Sequence, residues 1–586
     1  MMTIRKTKQL GIIAMSVLFL GISCSDEFLE VAPAASLGDA QLGTKDGIEG
    51  LLIGTYAALN GVFGNRFEGP NHWITGSIMG GEANKGTDAG DYSTINPIQR
   101  YETDPTSGDL DSFWRGRYEG IARANRVLST ITNNPEALQA ADEARISGEA
   151  RMLRGHFYFD LVKHFANIPV FDETVAPDDI IVLTNNGDAW GQIEADFQYA
   201  YDNLPATTDA GRVNKWAAAA YMGKAKLFQG KFAEAITWFN DVIANGVTPT
   251  GEKYALLDNP ADIYNAEFDN HAESIMDVES ANNTGSVNNA NYFDDLNYPY
   301  NTGPDGPGNC CGFFQPSIEL GNSYRTGADG LPLLDGSYND PSNEVANNFK
   351  WVVVDGNDES TFVPDSGPLD PRIDISIGRI GLPYLDWIDH PGQAWIRSFP
   401  YAGPYSPKKY IYYKSQENTL TDGSSWTRGY ALMNYTIIRY ADVLLMAAEA
   451  EIEAGSLATA LDYINQVRRR AANAEFWTKK SDGSGDNAAN YVISEYSTLG
   501  SQAQAREIVR FERKLELSGE GHRFFDLVRW GIAAETLNAY LAYESQYLVT
   551  KFGGASFTAG KSELYPIPQN QIDIQGADVL TQNPGY

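Results

Sequence analysis

Residues 216–244 and 441–469 of this chain repeat one pattern at a constant offset, and no other feature limits the fold as tightly. Ala225 corresponds to Ala450, Gly230 to Gly455, Ala235 to Ala460, Ile236 to Leu461, Phe239 to Ile464 and Val242 to Val467. Apolar residues at spacings of three and four predict a pair of amphipathic helices in each copy. Small residues let the two helices approach, the glycine makes the turn, and aliphatic side chains fill the seam. Such a pair buries its apolar face only by stacking on neighbours.

The unit resembles the tetratricopeptide repeat. Two copies are fewer than a free solenoid needs, so other helices must extend the array. The pattern predicts one over 45–59, two between 111 and 165 separated by Asn133, Asn134 and Pro135, and more over 501–533. Two segments lose the periodicity. Residues 60–110 read as a long loop carrying Phe63, Phe67, Trp73, Tyr92 and Tyr101, and 247–432 as a large insertion rich in Asn, Gly, Asp and Pro, with β-like runs at 351–354 and 410–413. Residues 564–568 and 582–586 read as an extended, proline-containing tail. The expected fold class is mainly α: tetratricopeptide-like helix-turn-helix pairs supporting a large irregular, loop-rich ligand-binding region with a few short strands.

The N-terminus has the layout of an export signal. Arg5, Lys6 and Lys8 precede an uncharged run from Leu10 to Leu20, and small or apolar residues lead to Cys24. The run falls well short of the roughly 20 residues that cross a bilayer. A cysteine at the cleavage position resembles a bacterial lipoprotein signal, in which Cys24 is lipidated and becomes the mature N-terminus. The expected organisation is a signal over 1–23, a lipidated tether over 24–43, a helical part over 44–246 containing the aromatic loop, the ligand-binding insertion over 247–432, and a C-terminal helical part with its tail over 433–586.

Charge removes one class of partner. With 44 basic and 76 acidic residues the net charge is −32, and concentrated positive charge of the kind phosphate backbones require is missing, so nucleic acid is not expected. Three cysteines, one of them Cys24, provide no disulfide framework; adjacent Cys310 and Cys311 bridge only through a strained ring, and local packing or loop shape is their expected role. No histidine stands near them, so no metal site is expected there. The Asp and Asn density around 288–309 leaves a structural calcium ion open, without EF-hand spacing. No other cofactor is expected.

Several stretches together resemble the RagB/SusD family of outer-membrane lipoproteins from Bacteroidetes. They are Glu149-Ala-Arg-Met-Leu-Arg-Gly-His-Phe-Tyr-Phe-Asp160, Arg439-Tyr-Ala-Asp-Val-Leu-Leu-Met-Ala-Ala-Glu-Ala450, Gly519-Glu-Gly-His-Arg-Phe-Phe-Asp-Leu-Val-Arg-Trp-Gly531, and the closing Pro566-Ile-Pro568 with Gln582-Asn-Pro-Gly-Tyr586. The resemblance implies a lipid-anchored protein facing the cell exterior. It would bind an oligosaccharide or polysaccharide and work as a hinged lid over a SusC-like TonB-dependent barrel; some relatives carry peptide instead. The charged motif residues Arg151, Arg154, Asp160, Arg523, Asp526 and Arg529 read as structural ion pairs rather than a catalytic centre.

Glycan recognition joins flat apolar faces to placed polar groups. Three loop regions offer that mixture: Trp73 with Asn84, Lys85 and Asp88; Tyr292, Tyr298, Tyr300, Cys311 and Phe313; and Arg372, Arg379, Trp387, Trp395, Arg397 and Tyr401. Trp73, Asn84, Asp88, Tyr298, Tyr300, Cys311, Phe313, Arg379 and Trp395 are the expected ligand contacts, with local loop packing as the competing role for each aromatic. No zinc-protease, nucleophile-elbow or phosphate-loop motif occurs, and no catalysis is expected. Two rival readings remain: a glycosidase with paired carboxylates, which spacing along the chain does not reveal, and a tetratricopeptide scaffold that binds only protein.

Overall fold

A computed structural model describes residues 38–284, 291–423 and 427–586. Cys24 and most of the expected tether lie outside these residues, as do residues 288–290 of the Asn-rich stretch and the side chain of Tyr292.

Among the described residues nine helices carry the array: α1 (Lys45–Ala57), α2 (Gly108–Asn133), α3 (Ala140–Phe165), α4 (Ala189–Asn203), α5 (Lys215–Phe228), α6 (Phe232–Asn245), α7 (Tyr440–Ala454), α8 (Leu457–Ala471) and α9 (Gln502–Glu516). Their starts follow capping chemistry. The Asn214 side chain accepts from the backbone of Trp216 and Ala217 at the head of α5, and Ser501 forms a capping box with Gln504 at the head of α9. Each of α1 to α7 packs on a neighbour in order, α1 on α2, α2 on α3 and so on, although about 195 residues of chain separate α6 from α7. The two repeated pairs are therefore spatial neighbours.

The approach distances are set by glycine against phenylalanine. A Cβ on Gly120 would lie 2.5 Å from the Phe157 ring, one on Gly155 2.6 Å from Phe197, and one on Gly223 2.6 Å from Phe239. Three interfaces thus seat a ring where one helix has no side chain. The two turn glycines correspond in position but not in conformation. Gly230 is left-handed at φ 70°, whereas Gly455 has φ −132°, and a Cβ there would displace the Glu451 carboxylate, which lies 2.0 Å from its position.

Helix α4 is absent from the sequence reading. Its buried stripe of Ala189, Ile193, Asp196, Phe197 and Ala200 is interrupted by a carboxylate, which Arg154 holds from α3 at 2.6 and 2.8 Å. The β-like run at 351–354 is also corrected. Lys350–Val354 forms a π-helical turn with Val353 and Val354 exposed, because no neighbouring strand is there to pair with it. Residues 410–413 form no strand either.

Strands are short and tie the insertion to the body. β1 (Ala83–Gly86) pairs antiparallel with β3 (Phe313–Pro316), and β2 (Ser274–Val278) with β4 (Tyr435–Arg439), which leads directly into α7. Residues 60–110, expected as a loop, belong largely to the core: every residue of the π-helical turn Trp73–Ile78 is buried. Among the described residues the main hydrophobic core draws on residues from Ile48 to Leu580, with a smaller cluster around Leu320, Tyr324 and Ile373.

Of the motif charges, Arg151, Arg154, Asp160, Asp526 and Arg529 stand in ion pairs, as expected, whereas Arg523 lies over the Trp530 ring. Arg154 pairs with Asp196 and Glu173, Asp160 with Arg117 and Lys163, and Asp526 with Arg513 and Arg529. Beneath β4 and α9, Arg372, Arg439, Arg468, Arg470 and Lys409 interlock with Asp370, Glu273, Glu512, Glu516 and Glu520. Matched charge makes burial of this cluster tolerable.

Candidate functional site

The three loop regions singled out in the sequence meet at one surface shelf. The first contributes residues 86–92, from the last residue of β1 onward. Lys85 is buried there and its Nζ donates back to the carbonyls of Asp91 at 2.7 Å and Ala89 at 3.4 Å, folding the loop over its own stem. Asp88 Oδ1 accepts from the backbone N–H of Gly90 and Asp91 at 2.8 and 2.9 Å, closing a tight turn. Thr87, β-branched yet left-handed at φ 48°, donates its N–H to Gly312 O at 2.5 Å, which seats this loop on the second.

The second loop runs from 298 to 312. Tyr298 pairs with Cys311 and Tyr300 with Asn309 as parallel bridges, and Cys310 is disulfide-bonded to Cys311. The adjacent cysteines therefore do bridge, and they shape the loop rather than staple distant parts of the chain. Asn301, Asn309 and Phe314 all take positive φ. Strain of this kind persists where surrounding structure enforces it, and it gathers at functional sites.

The third loop reaches in through Arg397. Its Nε lies 3.0 Å from Asp88 Oδ2, its NH1 donates to Thr87 Oγ1 at 3.1 Å and also bonds the Asp91 carboxylate, and its guanidinium stands 5.3 Å from the centre of the Tyr300 ring. Tyr300 N–H donates to Trp395 O at 2.9 Å, tying the second loop to the third. The side chains of Asp88, Asp91 and Arg397 are each about one third exposed, and Tyr300 and Cys310 are half-buried.

Of the expected contacts, Asp88 and Tyr300 stand on this shelf. The others lie beneath it or away from it. Trp73 is 1 % exposed, its indole N–H donating to Phe293 O at 3.2 Å and its ring packed on Phe313 and Phe314. Phe313 and Tyr298 are equally buried, and the Tyr298 hydroxyl accepts from Ala431 N. Trp395 lies under the 303–308 turn, where a Cβ on Gly306 would meet its ring at 2.5 Å. Cys311 is buried on the inner side of the disulfide. Asn84 is buried, donating to Ala402 O and accepting from Gly86 N and Lys551. Arg379 is consumed by a bidentate pair with Asp374 at 2.9 and 2.6 Å. Asp91 and Thr87 were missed by the sequence reading. A second carboxylate three residues after Asp88 was the available signal for Asp91; nothing in the sequence marked Thr87.

Electrostatics keep Asp88 ionised. Backbone donors from Asp91 and Gly90, with Arg397 beside them, hold the Asp88 carboxyl below the usual range. Burial pushes Lys85 down to about 8, opposed by Asp88 and Asp91. Carboxyls raised toward neutrality stand elsewhere: burial lifts Glu82 and Asp294 to about 7 and Glu544 to about 8 in the core, and Asp269, which is only half-buried, to about 8. Asp294 and Asp295, acids of the stretch considered for calcium, are engaged by Asn71 and Asn297 and by Arg66. Among the described residues no group of three His, Cys, Asp or Glu side chains is assembled to hold a metal. The shelf thus offers an aromatic ring, carboxylate acceptors and guanidinium donors.

Residues 272–586 match the model described as SusD family, and residues 27–227 match one described as starch-binding, associating with outer membrane. The SusD-like protein P25 of Formosa agariphila is 26% identical over 549 residues, which cover 90% of each chain. A crystal structure of a SusD superfamily protein from Bacteroides vulgatus superposes with a TM-score of 0.66 at 22% identity, covering 94% of this chain and 99% of that one. Surface glycan-binding protein A from Bacteroides thetaiotaomicron, solved in complex with laminarihexaose, gives 0.62 at 18% identity, covering 92% and 99%.

Proposed function

We propose, from the premise that this chain belongs to the SusD family, that it captures a neutral oligosaccharide or polysaccharide on the shelf formed by Tyr300, Asp88, Asp91 and Arg397 and performs no chemistry on it. The observation that carries this reading is the convergence of three loops, distant in sequence, on one exposed Arg397–Asp88 contact beside an aromatic ring. A sugar ring presents an apolar face to Tyr300, while its vicinal hydroxyls bridge carboxylate and guanidinium. Glycoside hydrolysis would need a proton donor among those groups, and Asp88 is held ionised. The family descriptions and the laminarihexaose complex of the B. thetaiotaomicron protein support a glycan ligand.

The same reading takes the protein as lipid-anchored through Cys24 at the outer face of the outer membrane, delivering its cargo to a SusC-like TonB-dependent barrel. Titration of the purified protein with laminarihexaose and a panel of neutral oligosaccharides, followed by analysis of the recovered sugars, tests the capture step. Saturable binding with sugars recovered intact is expected. Release of shorter sugars, or binding confined to peptides, would overturn it.

A further inference from the structure

A second concavity lies on the helical array and shares no residue with the shelf. It is an open groove of about 410 Å³ floored by Phe63, Trp114, Tyr118 and Phe171, with Gln571 and Gln575 along one wall. Trp114, Tyr118 and Ala122 stand on one face of α2 at successive turns, so the groove follows the helix axis. The Tyr118 ring lies parallel to Phe171, with 6.0 Å between centroids and 9° between planes, and its hydroxyl is committed to Pro169 O at 2.8 Å. Phe63 is 48% exposed and carries the Arg115 guanidinium 4.2 Å from its ring centre. Gln571 and Gln575 are one turn apart on the helix Gln569–Gln575, and the Gln571 amide donates to Asp111 at 2.7 Å.

We infer that this groove is a second saccharide subsite, taking neutral sugar units of a chain too long for the shelf alone. The inference rests on the proposed glycan capture. The volume falls within the range of about 300 to 1,000 Å³ typical of small-ligand clefts, and the lining joins aromatic surface to a few amides and charged groups. An acyl chain would strip water from the amide wall and from the ion pairs of Arg115 with Asp111 and Glu119 with Arg123, without offering a hydrogen bond in return. An anionic occupant would face a molecule of net charge −32. Sugar rings satisfy both halves of the lining, with apolar faces on the aromatic floor and hydroxyls at the amide wall.

Two subsites on one protein raise retention on a polymer far more than affinity for a short fragment, because the second contact becomes intramolecular. The test compares wild type, Ala122→Trp, Phe63→Ala and Tyr300→Ala on native gels containing laminarin, starch or another neutral polysaccharide. Titration with the best short oligosaccharide runs in parallel. Ala122 is exposed on α2, so the tryptophan fills the groove without entering the core. Ala122→Trp and Phe63→Ala are expected to lower retention on the polymer at least tenfold while leaving short-oligosaccharide affinity within twofold of wild type. Tyr300→Ala is expected to remove short-oligosaccharide binding and leave residual retention. Retention that depends on Tyr300 but is unchanged by both groove variants overturns the groove alone; loss of a co-purifying protein in Ala122→Trp, with retention unchanged, assigns the groove to that protein and equally overturns the saccharide. Wild type retained by no polysaccharide overturns glycan capture, and the groove with it.

Discussion

Arg397 Nε stands 3.0 Å from Asp88 Oδ2, joining residues more than 300 positions apart along the chain. Both side chains are partly exposed, so the pair contributes little to global stability, typically below about 1 kcal/mol. Its consequence is geometric: it holds the third loop against the first and orients two hydrogen-bonding groups beside Tyr300. Arg397→Ala is expected to lower oligosaccharide affinity about tenfold or more, roughly 1.4 kcal/mol. Thermal unfolding should stay within about 2 °C of wild type. Titration and calorimetry on the same preparation check both halves.

Trp73 yields the opposite pattern. It is buried against Phe313 and Phe314, so Trp73→Ala removes a large core side chain and should cost about 3 to 5 kcal/mol of stability. Denaturant unfolding measures this directly. A variant as stable as wild type that had lost sugar binding would return Trp73 to the surface.

The buried ionic cluster predicts a severe single-residue effect. Arg439 bonds Glu273, Glu516 and Glu520 while itself 1 % exposed. Arg439→Met leaves those carboxylates buried without that partner and is expected to cost about 3 to 5 kcal/mol or to prevent folding. The yield of soluble protein and its denaturation midpoint report the outcome.

Glu544 sets an alkaline dependence. Its carboxyl is fully buried, accepts from Glu319 N at 2.8 Å, and is raised from 4.5 to about 8 by burial. The folded state therefore keeps a proton that the unfolded chain loses above about pH 4.5, and stability falls as pH rises from there toward 8. One such group contributes a slope of at most about 1.4 kcal/mol per pH unit. Glu544→Gln keeps the shape and should flatten the decline between pH 5 and 8 in denaturation curves; an unchanged slope would show that Glu544 is already ionised in the fold.

The helix pairs were legible because spacing, small residues and turn glycines all act locally, as the seam of Ala225, Gly230 and Phe239 illustrates. Helix α4 was not, since Asp196 breaks the apolar pattern and only arginines from another helix, Arg154 and Arg151, make it tolerable. The shelf was legible as three regions and largely illegible as residues. Aromatic side chains in long irregular segments are the first to be buried, because they remove the most apolar surface from water. Trp73, Tyr298, Phe313 and Trp395 followed that rule and became the floor. Asp88, Asp91 and Arg397 stayed nearer the surface, and their pairing with one another across the loops rests on long-range placement rather than local pattern.

Hydrogen exchange of the purified protein, with and without a saturating neutral oligosaccharide from the panel, tests most directly whether the three loops act as one site. Slowed exchange is predicted together in residues 86–92, 298–312 and 395–397. Binding with protection confined to one loop, or located elsewhere on the protein, would contradict the account.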